Sequence, residues 1–326
     1  MIALDVRRES WPIRGTFAIS RGSRTATEVV VAELTRDGHT GRGECVPYPR
    51  YGETVEGVIA DIESLRARLM SGLDREGLQT ALPAGAARNA VDCAFWDLEA
   101  KRAGLRVFEL AGLPAPKPLT TAYTLSLDTP EAMGRAAAAN AHRPLLKLKV
   151  TGDGDLDRVR AVRANALRSK LVVDANEAWT PEQFTRFVPE LKGLGVTMIE
   201  QPLPAKADAT LASLKRAIPV CADESCHDAA TIEGLVGRYD MINIKLDETG
   251  GLTEALKLRA AAEAKGFGVM VGCMIATSLS MAPAVLVAQG AEVVDLDGPL
   301  LLARDRDAGL RYDGSTVHPA DAALWG

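Results

Sequence analysis

The chain has 326 residues, 47% apolar and 25% charged, enough for one large core and a smaller second domain. Its formal net charge is −5, and Lys and Arg alternate with Asp and Glu, so nothing indicates nucleic acid or an anionic membrane as a partner. No apolar run approaches the roughly eighteen residues of a membrane span, and the opening MIALDVRRES is too charged for a secretory signal. We therefore expect a cytoplasmic protein.

Cysteine and histidine usage excludes two further classes of site. The five cysteines are scattered without a CxxC pair, which favours reduced thiols over a disulfide framework. The four histidines show no HxxxH or HxH spacing. A zinc site is therefore not expected.

The N-terminal third predicts an antiparallel sheet followed by helices. Strand-like segments are 2–13, 27–35 and 40–46. The last two are separated by Asp37-Gly38, a strong hairpin signal. Helical spacing covers 54–70 and 86–103, and Trp96 is left over for an interface. The Pro-rich stretch GLPAPKPL then predicts the end of an α+β domain at residues 1–116.

From Leu119 onward, short apolar strands alternate with helical segments. The predicted strands are 119–126, 145–150, 170–174, 196–200, 219–223, 240–245, 267–273 and 291–297. The predicted helices begin near Thr129, Asp155, Thr180, Ala207, Asp228, Thr253 and Thr277, several of them with caps or an early proline. Eight strands with seven helices favour a closed α/β barrel of the TIM type, (β/α)7β, over an open sheet. We assign it to 117–305 and leave 306–326 as a tail.

Charged residues stand at the ends of successive barrel strands, where the strands of such a fold converge on one mouth. They are Lys147, Lys149, Asp174, Glu200, Asp223 and Lys245. The three acids come from consecutive strands and supply only oxygen donors, which predicts a hard-cation site, most simply Mg²⁺. The alternative is that each acid caps the following helix or pairs with a neighbouring lysine.

Lys149 and Lys245 flank the acids in strand order, so they should face each other across the mouth. Crowding by a metal and a second cation should lower a lysine's pKa and leave one of the pair neutral, as a general base requires. A metal between opposed bases suits removal of a proton from the carbon next to a carboxylate, with inversion of that centre. The alternative is that both lysines merely neutralise the acids.

The motifs LLKLKV, VVDANEAW, IEQPLP, CADES and NIKLDETGGLTEA resemble the enolase superfamily, in particular its muconate-lactonising subgroup. That resemblance implies lysine bases and an enediolate stabilised by Mg²⁺. It also implies that the first domain caps the barrel mouth and that the tail after about 305 returns to this capping domain.

Within the superfamily, ISRGSRT, GECVPYPRYGE, LPAGAARNAVDCAFWDLEA and VVDLDGPLL most resemble dipeptide epimerases. The resemblance implies that Asp295 and Asp297 hold the ammonium group of a dipeptide. Both project on one side of their strand, and with no lysine nearby in sequence they need a cation partner. A pair of solvated strand-end acids is the alternative.

Further roles are implied by the resemblance alone. Lys147 would bind the substrate's α-carboxylate, Thr124 its backbone, and Arg24 the side-chain carboxylate of glutamate, with Arg21 left open as an alternative for that task. Asp247 would orient Lys245, Asn176 would support the metal site, and Cys273 would form part of the wall. The family pattern is broken at VGCMIATSLS, where many dipeptide epimerases have a glutamate near Ala276 or Thr277.

The function implied is an Mg²⁺-dependent epimerase that inverts the α-carbon of a dipeptide's C-terminal residue by 1,1-proton transfer. The substrate expected is L-Ala-D-Glu or L-Ala-L-Glu from murein peptides, with no nucleic-acid or membrane partner and with a homo-oligomer left open. One alternative is another enediolate enzyme of the o-succinylbenzoate synthase or muconate cycloisomerase type. The other is a non-catalytic barrel that binds a metal or a peptide.

Overall fold

The N-terminal part begins with a three-stranded antiparallel sheet. In the computed structural model, which describes residues 1–326, its strands are β1 (Ala3–Ile19), β2 (Gly22–Arg36) and β3 (His39–Cys45). β1 and β2 extend beyond the predicted segments and form a long hairpin that turns at Ser20 and Arg21. The β2–β3 turn is the predicted one, with Asp37 at φ 51° and Gly38 at φ 79°, values that suit these residues in a tight hairpin.

Five helices follow this sheet. They are α1 (Val55–Ser64), α2 (Arg66–Met70), α3 (Arg75–Ala81), α4 (Ala86–Ala103) and α5 (Val107–Leu110). Of these, α1, α2 and α4 pack against the sheet. We predicted one helix over 54–70 and none over α3, which has a single buried residue and so little apolar periodicity. α4 lies so close to β3 that a Cβ atom at Gly41 would be 2.2 Å from the carbonyl oxygen of Ala94, so only glycine fits there.

Helix α4 also contacts the second part of the chain. The Arg88 guanidinium donates to the carbonyl of Thr249 at 2.7 Å. The Trp96 indole N–H donates to Thr253 Oγ1 at 2.9 Å, so the interface expected for Trp96 lies within this chain. One helix therefore packs on the N-terminal sheet and on the barrel at once.

The second part contains eight parallel strands that pair in chain order. They follow a short strand β4 (Leu119–Thr120) and are β5 (Tyr123–Leu125), β6 (Leu145–Lys149), β7 (Lys170–Asp174), β8 (Val196–Glu200), β9 (Val220–Ala222), β10 (Met241–Ile244), β11 (Gly268–Val271) and β12 (Val293–Val294). The Ala122 N–H donates to the carbonyl of Val294 at 2.8 Å and brings the two edges of the curled sheet together. The predicted fold class is confirmed.

Helices and short 3-10 turns connect these strands. The helices are α6 (Pro130–Ala139), α7 (Asp155–Asn165), α8 (Pro181–Gly193), α9 (Ile232–Leu235), α10 (Leu246–Thr249), α11 (Leu252–Ala264), α12 (Ser278–Val287) and α13 (Gly298–Leu301). The helix predicted near Ala207 is instead a 3-10 helix, Asp208–Ser213. The helix predicted near Asp228 begins there, with Asp228 as its N-cap, but it is only a 3-10 turn followed by α9, and Gly237 at φ 80° comes two residues after α9 ends.

The predicted strand over 119–126 was also wrong in extent. Leu119 and Thr120 pair antiparallel with β14 (Thr316–Val317), whose hairpin partner is β13 (Tyr312–Asp313), and only β5 enters the barrel. The chain then runs on to the N-terminal part, where the Trp325 indole N–H donates to the carbonyl of Cys93 at 3.1 Å. No helix combines the length and apolar character needed to cross a bilayer.

Candidate active site

A cavity of about 60 Å³ lies at the carboxyl ends of the barrel strands, beneath the β1–β2 hairpin. Residues predicted from the sequence that line it are Arg24, Thr124, Lys147, Lys149, Asn176, Asp223, Lys245, Cys273, Asp295 and Asp297. Asp174 and Glu200 are fully buried, each 0% exposed, and contact the lysines of this wall. Of the predicted set, only Asp247 has its side chain directed elsewhere.

Lys147 and Lys149 end β6 and point to the same side because one residue separates them. Lys149 Nζ is 2.5 Å from Asp174 Oδ2. Lys147 Nζ lies among three carboxylates, 3.2 Å from Asp174, 2.7 Å from Glu200 and 2.8 Å from Asp295. The contact with Asp295 crosses from the second strand of the barrel to the eighth.

Lys245 follows β10 and faces the same cavity. Its Nζ is 2.6 Å from Asp223 Oδ2 and 3.5 Å from Glu248 Oε1. Asn243, two residues earlier, donates through Nδ2 to Glu200 Oε1 at 2.9 Å and to Asp223 Oδ1 at 3.2 Å. The acids of three consecutive strands are thus tied together by Lys147 and Asn243.

The three acids do not form a ready metal site in this arrangement. No three carboxylate, histidine or cysteine groups converge on one point, because lysine ammonium groups lie among the acids. Several oxygens nevertheless have no hydrogen-bond partner although they are buried, among them Glu200 Oε2, Glu224 Oε2 and both oxygens of Glu248. Glu200 Oε2 has only its ion pair with Lys147, and Glu248 Oε1 only its ion pair with Lys245. Buried carboxylates without donors fit a divalent cation bound through oxygen.

The pKa shifts differ from our expectation for the lysines. Burial lowers the pKa of Lys245, but Asp223 and Glu248 outweigh it and raise the pKa well above its usual value. Lys147 behaves in the same way, through Asp295 and Glu200. The predicted lowering is therefore wrong for Lys245, because carboxylates lie closest to its ammonium group. Burial, with repulsion from Asp174, raises the pKa of Glu200.

Asp295 and Asp297 follow the last barrel strand and reach the cavity. Asp297 Oδ2 accepts the backbone N–H of Thr124 at 2.6 Å. Burial and repulsion from Asp295 raise the pKa of Asp297. We expected the pair to need an external cation, and this is corrected for Asp295, which already contacts Lys147. Asp295 Oδ1 and the Asp297 carboxyl face the cavity without a cation of their own.

Arg24 and Arg21 are distinguished by their contacts. The Arg21 guanidinium is engaged by Glu224, Tyr48 and the carbonyl of Asn176. Arg24 lines the cavity and makes no hydrogen bond or ion pair, and burial lowers the pKa of its guanidinium. Of the two, Arg24 is the one available to an acidic ligand.

The remaining predicted residues have different positions. The backbone N–H of Asn176 donates to Asp174 Oδ1 at 2.9 Å and so helps to orient that carboxylate. Cys273 forms part of the wall. Asp247 does not contact Lys245, and this expectation is corrected. Its Oδ1 accepts from Val46 N at 3.0 Å and Asn89 Nδ2 at 2.8 Å, both in the N-terminal part.

Three residues of the site were missed from the sequence. Glu224 follows Asp223 in CADES, Glu248 follows Asp247, and Asn243 alternates with Lys245 in NIK. The alternation in NIK was the available signal for Asn243. Glu224 and Glu248 lie beyond their strands, where alternation no longer gives the direction of a side chain.

A parallel barrel with lysines and carboxylates at its strand ends, covered by an α+β domain, defines an enolase-type fold. Residues 1–112 match the N-terminal domain of the mandelate racemase / muconate lactonizing enzyme family, and residues 131–322 match the enolase C-terminal domain-like model. The chain belongs to this family.

Two relatives and one solved structure are similar to this chain over most of its length. The L-Ala-D/L-Glu epimerase of Escherichia coli is 45% identical over 98% of this chain and 100% of its own. The N-acetyl-D-glutamate racemase of a Pseudoalteromonas species is 43% identical over 91% of this chain and 95% of its own. A crystal structure of an enolase family member from Agrobacterium tumefaciens with homology to dipeptide epimerases, with bound sodium and L-Ala-L-Glu, is 53% identical, covers 100% of both chains and has a TM-score of 0.98.

Proposed function

We propose that this protein is a dipeptide epimerase that interconverts L-Ala-D-Glu and L-Ala-L-Glu. The observation that carries the proposal is one cavity lined by Lys149 and Lys245, by the unpaired Arg24, and by the acids Asp295 and Asp297. The L-Ala-D/L-Glu epimerase that is 45% identical supports it. On the resemblance alone, we extend the proposal to murein peptide turnover in the cytoplasm.

We propose Mg²⁺ as the cofactor, held by Asp174, Glu200 and Asp223. These acids are at most 1% exposed, and the buried Glu200 Oε2 has no hydrogen-bond donor. Bound Mg²⁺ would stabilise the negative charge that develops on the substrate's carboxylate when its α-proton is removed. Lys147 and Lys245 would then give up part of their contact with these acids.

The two lysines would do the proton transfer. Lys149 and Lys245 come from strands on opposite sides of the acids, so each can reach a different face of an α-carbon held between them. One neutral amine removes the α-proton, and the other lysine, as ammonium, returns a proton on the opposite face. Because Asp223 and Glu248 raise the pKa of Lys245, binding of the cation and of substrate would have to draw these acids away from Lys245 before it could act as the base.

The substrate's charged groups would be divided among the remaining residues. The Arg24 guanidinium suits the glutamyl side-chain carboxylate, because a planar fork binds a carboxylate through two hydrogen bonds. Asp297 and the free oxygen of Asp295 suit the ammonium group. Lys147 suits the α-carboxylate, and Thr124, held by Asp297, suits the peptide backbone.

Incubation with L-Ala-L-Glu in D₂O with Mg²⁺ tests the proposal. We expect deuterium at the glutamyl α-carbon and accumulation of L-Ala-D-Glu, both followed by NMR. N-acetyl-L-glutamate is the matched control, since it keeps both carboxylates and lacks the ammonium group. Faster exchange with this control would favour the activity of the 43% identical racemase. No exchange with either compound would contradict the proposal and would favour a different enediolate reaction or a non-catalytic barrel.

A further inference from the structure

The tip of the β1–β2 hairpin is fixed to the barrel through Arg21. Its Nη2 donates to Glu224 Oε1 and to Tyr48 Oη, each at 2.8 Å, and its Nη1 donates to the carbonyl of Asn176 at 2.9 Å. The Ser20 hydroxyl donates to the same carbonyl at 3.3 Å. The Glu224 side chain is only 2% exposed, so its charge is paired by the hairpin rather than by water.

The barrel residues that Arg21 contacts are also the neighbours of the proposed metal ligands. Asn176 lies two residues after Asp174 and donates to its Oδ1 at 2.9 Å. Glu224 directly follows Asp223 and accepts from Asn176 Nδ2 at 3.4 Å. Movement of Asp174 or Asp223 on binding a cation would therefore directly displace Asn176 or Glu224, the barrel residues that contact Arg21.

The loop that contains Asn176 is held in an unusual backbone conformation. Asn176 has φ 44° and Glu177 has φ 68°, in the left-handed region that such residues rarely adopt. The Arg50 guanidinium holds Glu177 by two hydrogen bonds of 2.7 and 2.8 Å. The loop that receives the hairpin therefore has anchors of its own, and Arg21 is the charged residue that joins the hairpin to it.

Arg24 lies on the same hairpin, next to its fixed tip. The register pairs Arg24 with Phe17 and Gly22 with Ile19, and Phe17, Ile19 and Arg24 all line the cavity. Arg24 has no partner of its own. Its position over the cavity therefore depends on how the tip is held, and the only charged anchor of the tip is Arg21.

We propose that Arg21 is a positioning residue that couples cation binding at the acids to closure of the hairpin and so to recognition of an acidic side chain by Arg24. The inference rests on the proposed function for the substrate and goes beyond it for the coupling. Coupling between two ligands is reciprocal, so a dipeptide with an acidic side chain must tighten Mg²⁺ binding by the same factor by which Mg²⁺ tightens the dipeptide.

Kinetics of Arg21→Met test the route through Arg24. We expect KM for L-Ala-L-Glu to rise about tenfold with a smaller change in kcat, as for loss of charged hydrogen bonds. Arg14→Met, on the same hairpin, exposed and without a side-chain partner, is the control and should leave KM unchanged. Arg21→Met combined with Arg24→Met should be no worse than Arg24→Met alone. Additive losses would overturn the route.

A second measurement does not depend on turnover. Backbone hydrogen exchange of 17–24 should slow when Mg²⁺ is added to the wild-type protein and to Arg14→Met, and should not respond in Arg21→Met. Calorimetric Mg²⁺ affinity should rise with L-Ala-L-Glu present, and Arg21→Met should lose that rise. If Mg²⁺ leaves exchange of 17–24 unchanged in the wild type, the coupling is refuted. If only turnover is absent, the proposed function fails and the coupling stands.

Discussion

Removing one lysine at a time separates proton abstraction from inversion. In Lys149→Ala, Lys245 still faces the α-carbon from its own side, so one epimer of Ala-Glu should exchange its α-proton with D₂O while the other does not. Interconversion of the epimers should fall about 10²- to 10⁴-fold, the usual contribution of a general acid or base. Lys245→Ala should show the opposite preference between the epimers.

The contacts of the two lysines predict different effects on stability. Without Lys149, Asp174 Oδ2 still has Lys147 at 3.2 Å, so the metal-free variant should lose only about 1 kcal/mol. Without Lys245, Asp223 and Glu248 both lose their cation, and a loss of about 3–5 kcal/mol is expected.

Proton NMR in D₂O with each pure epimer gives exchange and interconversion in one experiment, and thermal denaturation gives the stability. Lys170→Ala is the control, since this lysine is exposed at the opposite end of β7. Two results would refute the reasoning: single variants that still interconvert the epimers at the wild-type rate, or variants that exchange both epimers equally.

Other substitutions test the substrate contacts and the buried charge. Arg24→Met should raise KM for L-Ala-L-Glu roughly 10- to 100-fold and leave that for L-Ala-L-Met nearly unchanged; steady-state kinetics decides, and equal effects would contradict the assignment. Asp297→Asn keeps an acceptor for Thr124 and removes a charge, so selectivity for L-Ala-L-Glu over N-acetyl-L-glutamate should fall about tenfold. Burial raises the pKa of Asp247 from 3.8 to about 7 in the folded protein, so wild-type stability should decline as pH rises from 4 to 7. Asp247→Asn should make this decline smaller by up to about 4 kcal/mol at pH 8, measured by denaturant unfolding, and parallel pH profiles of the variant and the wild type would exclude a buried charge there.

The strand-end residues could be predicted because a charged residue recurs at the end of successive βα units. Each βα unit returns the chain to the same mouth, so charges that end successive apolar strands must meet there. Lys149, Asp174 and Lys245 were identified in this way. The contact between Lys147 and Asp295 changes the electrostatics of the site most, and it joins residues far apart in sequence. It could not be predicted, because strand alternation tells on which side a side chain lies but not which partner it contacts.

Residues outside the regular strands could not be placed from the sequence. Asp247 is the second residue of the short helix α10, where alternation has ended, and its carboxylate turns to Val46 in the N-terminal part. Arg21 and Arg24 both lie at the end of a hairpin whose register is set by tertiary contacts. The split at Thr120 depended on a partner strand nearly two hundred residues later, since it pairs with Thr316.

Helix α4 has a consequence for how the protein denatures. Its side chains hydrogen-bond to the barrel through Arg88 and Trp96, while its opposite face is in contact with the glycines of β3. Neither half can lose its structure without exposing apolar surface and buried donors of the other. Calorimetry should therefore record one endotherm, with equal calorimetric and van't Hoff enthalpies, although the N-terminal α+β part and the barrel differ in architecture.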